Sequence, residues 1–186
     1  MNKTIQIEVP ANKKAEWQEL DGKTVLVMVD EKDNRPVTER IKTFHDAYCE
    51  LGNEHPFVIS YEQYVNTASG TEADVIAFLK LRIIAEALNE GWHPKFTEDE
   101  YRYYPCFILY TKEEYDNFSE EEKRRCVGRA VVNAAASGGL VCLGAFGVSS
   151  GSSPNVGVRL AFSTRELAEY AGKQFIDIWA DFVFFR

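Results

Sequence analysis

Side chains able to carry covalent or metal chemistry are few and scattered in this chain of 186 residues: cysteines at 49, 106, 126 and 142 and histidines at 45, 55 and 93. A cysteine hydrolase needs a thiolate beside an imidazole base, and Cys142 or Cys106 with His93 is the pairing weighed for that role. Gly147-Val148-Ser149-Ser150-Gly151 comes close to a nucleophile elbow, in the pattern G-x-S-S-G, although hydroxyls in such a loop usually serve the turn itself. The cysteines form no C-x-x-C pair and are too few and too far apart for a disulfide scaffold, so they read as buried thiols. The histidines fall in separate elements and read as surface or packing residues, with no metal centre expected. Lectin-type calcium sites need clustered carboxylates, and none lies between Ala130 and Phe162. Gly138-Gly139 and Gly144-x-x-Gly147 lack the Lys-Ser/Thr of a phosphate loop and the strand-to-helix setting of a dinucleotide fold. No cofactor is expected.

Charge narrows the partners further. With 21 Lys and Arg against 29 Asp and Glu, the net charge of −8 opposes general attraction to phosphate backbones or anionic lipid. Nucleic acid is therefore not an expected partner, even though Tyr101-Arg102-Tyr103-Tyr104 offers rings that stack on bases or sugars. No run approaches the roughly 18 uncharged apolar residues of a membrane span, and Met1 to Ile5 opens no signal peptide. The expectation is a soluble protein without membrane insertion, cytoplasmic on synthesis, with oligomerisation left open. Twelve Phe, nine Tyr and three Trp supply apolar mass for one substantial core.

The elements that must position these residues follow from periodicity. Alternation of Ile5, Ile7 and Val9 with polar residues predicts a strand over 3–9, and Thr24 to Val29 a second after Asp21-Gly22, so that residues 1–30 form a small N-terminal β-hairpin region. A single α+β domain is expected over 31–186. Ile41, Phe44, Tyr48 and Leu51 share one stripe of a helix from Thr38 to Leu51, with Gly52 in the C-cap position. Glu72 to Asn89 is the strongest helix, with Val75, Phe78, Leu79, Ile83 and Leu88 toward the core. Tyr101 to Tyr110, interrupted by Pro105, predicts a strand at a sheet edge or with a bulge. Capping boxes are read at Ser60/Gln63, Thr71/Asp74, Thr111/Glu114, Ser119/Glu122 and Ser163/Glu166. The last of them opens a long C-terminal helix over 163–184.

One stretch departs from the rest. Seven of the twelve glycines (Gly128, Gly138, Gly139, Gly144, Gly147, Gly151 and Gly157) cluster there, and between Ala130 and Phe162 the only charged residue is Arg159. Apolar runs at Leu140 to Leu143 and Val156 to Phe162 argue for short strands joined by tight turns rather than a linker. Leu140, Val141, Leu160 and Phe162 are read as core. Every residue from Val131 to Val158 also belongs to the set encoded by codons ending in a pyrimidine; Met, Trp, Gln, Lys and Glu are absent.

The closing run Gly157-Val158-Arg159-Leu160-Ala161-Phe162 resembles the Gly-Phe-Arg-Leu strand of the C-type-lectin-like variable proteins of diversity-generating retroelements. Gly128-Arg129-Ala130, Glu100 to Pro105 and Ala168 to Phe175 resemble hypervariable proteins of gut bacteriophages. The resemblance implies a C-type-lectin-like domain with flanking helices. In that family adenines of a template repeat are replaced at random during reverse transcription, and Asn codons ending in a pyrimidine diversify into this residue set. It further implies a ligand-binding, receptor-recognition protein, not an enzyme, that is phage-encoded and displayed on a virion, with a protein or glycan of a host cell surface as its partner. The candidate contacts are Val131, Val132, Ala135, Ser137, Cys142, Leu143, Phe146, Val148, Ser153, Val156 and Val158, and Tyr101, Tyr103 and Tyr104 would frame them. The alternatives are a small phage or bacterial hydrolase with Cys142 or Ser149 as nucleophile, and a non-catalytic structural or assembly protein.

Overall fold

The computed structural model describes residues 6–10, 13–30, 33–67, 72–95, 97, 99–129, 138–149 and 160–184. These fall into two compact units, residues 1–36 and 37–186. In the first unit β1 (Lys13–Leu20) pairs antiparallel with β2 (Lys23–Asp30), Trp17 opposite Leu26 and Ala15 opposite Met28. Asp21 and Gly22 both take positive φ (51° and 71°), the backbone that a two-residue hairpin turn matched to strand twist requires. The hairpin is present, but its first strand is not the one expected over 3–9. Residues 6–10 have no regular secondary structure, with Ile7 and Val9 exposed, and residues 3–5 lie outside the described set. The Asp-Gly turn decides the matter: it folds β2 back on whatever precedes it by two residues, and that is Lys13–Leu20 despite its weak alternation.

The second unit is α+β. Its helices are α1 (Val37–Arg40), α2 (Phe44–Leu51), α3 (Pro56–Thr67) and α4 (Ala73–Asn89), then α5 (Lys112–Asp116) and α6 (Glu120–Arg124), and finally α7 (Arg165–Gln174) and α8 (Ile176–Val183). A three-stranded antiparallel sheet, in the order β3-β5-β4, is built from β3 (Tyr101–Tyr110), β4 (Val127–Arg129) and β5 (Gly138–Ser149). The helix expected over 38–51 is broken after Arg40, because Thr43 caps α2 through a reciprocal box with Asp46. Of the other expected caps, Thr111/Glu114 and Ser119/Glu122 form as read. Ser60 instead lies inside α3, donating to the Pro56 carbonyl, and Thr71 is outside the described residues. Thr164, not Ser163, caps α7; the Ser163 N–H is engaged by Asn89 Oδ1 at 2.9 Å.

Helix α4 is the centre of the unit and packs against α2, α3 and α8. Its deepest positions are Leu81, Ile83, Ile84 and Leu88, while Val75, Phe78 and Leu79 are only half-buried. The expected helix 163–184 is interrupted at Phe175 (φ −109°, ψ 28°). Phe175 and Trp179 are both buried, and the Trp179 indole N–H donates to the Ala171 carbonyl at 3.2 Å. Burying two bulky rings, one at the break and one a turn beyond it, outweighs helix continuity.

Candidate functional site

Strand β5 is the central strand and carries the described half of the unusual segment. It pairs with β3 along the length of both, from Tyr101 opposite Ser149 to Tyr110 opposite Gly139, with a shift between Cys106 and Phe107. Cys106 faces Gly144 and Phe107 faces Cys142, so Leu143 is an extra residue on β5, a β-bulge. A bulge inverts side-chain parity, and the contacts follow that inversion. Before it, Leu140 is fully buried and Cys142 Sγ lies where a Cβ on Gly172 of α7 would meet it at 2.5 Å. After it, Ala145 is buried, its carbonyl accepts from Arg165 of α7, and Gly147 lies against the Tyr103 ring. Arg165 also sits over Tyr103, 5.8 Å from the ring centroid. That is the face covered by helices.

The opposite face holds Leu143 (56% exposed), Phe146 (40%) and Ile108 (37%), with Val141 and Val148 half-buried. Phe146 stacks on Tyr104 across the strand pair, with centroids 5.7 Å apart and 29° between planes. Arg102, opposite Val148, is buried (3%), as is Tyr104. Burial pushes the Tyr104 hydroxyl above its ordinary pKa, an effect that the neighbouring Arg102 guanidinium opposes. Three large apolar side chains sharing one sheet face, beside a neutral phenol, make a surface suited to an apolar partner.

Of the expected contacts, Leu143, Phe146 and Val148 come together on this outer face. Cys142 points the other way, toward α7. Val131, Val132, Ala135, Ser137, Ser153, Val156 and Val158 lie outside the described residues. Tyr104 joins the face, whereas Tyr103 turns inward. Ile108 was missed; its signal was legible, since it lies four residues beyond Tyr104 in a strand expected to pair, but the bulge that aligns it with Val141 was not.

The buried cysteines have a poor setting for nucleophilic chemistry. Burial raises the Cys142 pKa, and its sulfur donates to the Gly144 carbonyl at 3.6 Å rather than to a histidine. A nucleophilic cysteine needs the reverse, a lowered pKa beside a base. Burial likewise raises the Cys126 thiol. His93 is on the surface near Glu86, 4.0 Å away. His55 Nδ1 accepts from the Phe57 N–H at 3.2 Å. Both line a cavity of about 480 Å³ with Phe57, Glu86 and Trp92. His45 has a cysteine close by: Cys49, one turn further along α2, lies 3.4 Å from its Nε2.

Comparisons with protein-family models, curated proteins and solved structures find no match to this chain. Among the described residues, no helix is long and apolar enough to cross a membrane.

Proposed function

We propose that this chain is a receptor-recognition protein whose binding surface is the outer face of the β3-β5 pair, diversified over residues 131–158 by a retroelement of the kind its sequence resembles. The observation that carries the reading is the placement of Leu143, Phe146 and Val148 on one partly exposed apolar face of the central strand. Such a face favours a protein of the host surface over a glycan, because its exposed side chains are apolar while its hydrogen-bonding groups, Arg102 and Tyr104, are buried away from a saccharide's hydroxyls. A C-type-lectin-like scaffold is the finer form of this proposal. An antiparallel sheet with helices on one face supports it, and α7 and α8 are then an elaboration after the closing motif.

Sequencing the surrounding locus tests the mechanism. The expected result is a reverse transcriptase gene together with a near-copy of codons 131–158 bearing adenines where the protein varies; a locus with neither overturns it. A surface free to vary must also contribute little to stability. Leu143→Ser is expected to change unfolding free energy by no more than about 0.5 kcal/mol. Phe146→Ser should cost about 1 kcal/mol, for the lost stacking on Tyr104. Losses of 3 kcal/mol or more in denaturant titrations, the scale of about a buried Leu or Phe truncation, would make this face part of the core.

A second reading, a hydrolase using Cys142, has against it a buried thiol whose pKa burial raises and whose hydrogen bond goes to a backbone carbonyl. Reading Ser149 as the nucleophile rests on the G-x-S-S-G pattern; its backbone ends β5 opposite Tyr101. Ser149→Ala separates that reading from recognition by whether any esterase activity toward an activated ester is lost.

A further inference from the structure

Helix α2 carries an arrangement that the recognition face does not use. His45 and Cys49 are spaced i, i+4 and are both exposed, so the helix stacks their side chains on one face. Cys49 Sγ lies 3.4 Å from His45 Nε2 and 4.0 Å from Nδ1. For a tetrahedral zinc ion, bond lengths of about 2.3 Å to sulfur and 2.0–2.1 Å to nitrogen place the two donors about 3.5 Å apart. With the sulfur 4.0 Å from Nδ1 against 3.4 Å from Nε2, it lies beside the ring rather than along the Nε2 lone pair, so rotation of the exposed His45 side chain, with the backbone unmoved, turns this separation into the bite of a chelate. The local structure fixes the backbone that carries both residues. Thr43 and Asp46 close a capping box over the first turn, and Gly52 ends the helix at φ 78°.

We propose that His45 and Cys49, juxtaposed one turn apart on the exposed face of α2, chelate a borderline divalent metal ion of the zinc class. On binding, the thiol releases its proton to solvent and the sulfur donates a lone pair to the metal; the imidazole donates the Nε2 lone pair and stays neutral, with its proton on Nδ1. No oxidant or reductant is needed. Among the described residues, no third His, Cys, Asp or Glu joins the pair. The metal thus keeps open positions, filled by water or by a donor from another molecule. Soft thiolate with imidazole selects zinc, cobalt or copper over magnesium and calcium.

The test is titration of the full chain, kept reduced, with Co²⁺. A near-ultraviolet thiolate-to-cobalt charge-transfer band should grow in, be bleached by Zn²⁺ and not by Mg²⁺, and be absent from Cys49→Ser. His45→Ala should weaken Co²⁺ binding by about tenfold or more, because loss of even an outer-shell partner of a metal ligand costs about 10–100-fold. Cys106→Ser should leave the titration unchanged. Zn²⁺ should also raise the melting temperature of the wild type and not that of Cys49→Ser. Both altered residues are exposed, so folding is not at stake in either variant. A wild type with no charge-transfer band, a band that survives Cys49→Ser, or a His45→Ala titration matching the wild type overturns the proposal.

Discussion

Phe162→Ala is expected to lower unfolding free energy by about 3–5 kcal/mol, the scale for removing a fully buried phenyl ring. Phe162 is 1% exposed and belongs to the cluster formed with Leu81, Ile84 and Trp179. Its backbone exchanges hydrogen bonds with Tyr103, at 2.9 and 3.0 Å, on the edge of β3 away from β5. Asn89, at the end of α4, grips the residues on either side of it: its amide donates to the Ala161 carbonyl at 2.8 Å and its carbonyl accepts from the Ser163 N–H. The surroundings are held by helix, strand and amide clamp together, so they cannot collapse into the vacated space, and the cost should fall in the upper part of that range. For a unit of this size, each kcal/mol moves the melting temperature by roughly 2–4 °C, so a fall of roughly 10 °C or more is expected in a thermal melt. Leu160→Ala, at a half-buried position, should cost less. Equal and small losses at 160 and 162 would show that the chain after residue 158 is not anchored.

How legible the fold was depends on the kind of signal. Strand β3 was readable from its run of aromatic residues, and Pro105 correctly marked a strand at the sheet edge; it lies next to the register shift, whose extra residue is on β5. The boxes at Thr111 and Ser119 were readable because cap chemistry is local. At Ser163 the same local rule missed by one residue, since a side chain 74 positions away took the serine's backbone N–H. The strand Lys13–Leu20 was invisible because hairpin register, not composition, creates it. At the site, the sequence marked Leu143, Phe146 and Cys142 alike as apolar members of one segment. Only the bulge at Leu143 assigns them to different faces, and a bulge leaves no periodic trace when the residues around it are Gly, Ala and Leu. The His45/Cys49 pair was legible in the sequence as an i, i+4 spacing within the helix expected over Thr38 to Leu51.

The same bulge and the glycines around it divide the strand 138–149 into positions that tolerate change and positions that do not, and Gly138→Ala is the sharpest test of the division. Gly138 does not have a left-handed backbone, so replacing glycine with alanine should on entropic grounds stabilise the fold by about 0.4–1 kcal/mol. Space decides the opposite sign. A Cβ on Gly138 would stand 1.4 Å from the Tyr110 carbonyl oxygen and 2.5 Å from its carbon. Those are backbone atoms at the point where β3 leaves the sheet for α5, and they have no rotamer by which to retreat. Relief requires parting β5 from β3 near the Tyr110–Gly139 pair or from β4 at Arg129. Overpacking in tight sites typically costs about 1–3 kcal/mol, and more where the obstacle is backbone, so a net loss of about 3 kcal/mol is expected. Measured beside Leu143→Ser, which should be nearly silent, this variant asks whether one twelve-residue strand holds a freely variable face on a fixed frame. A Gly138→Ala protein as stable as the wild type would remove the frame, and with it the case for glycine at this position.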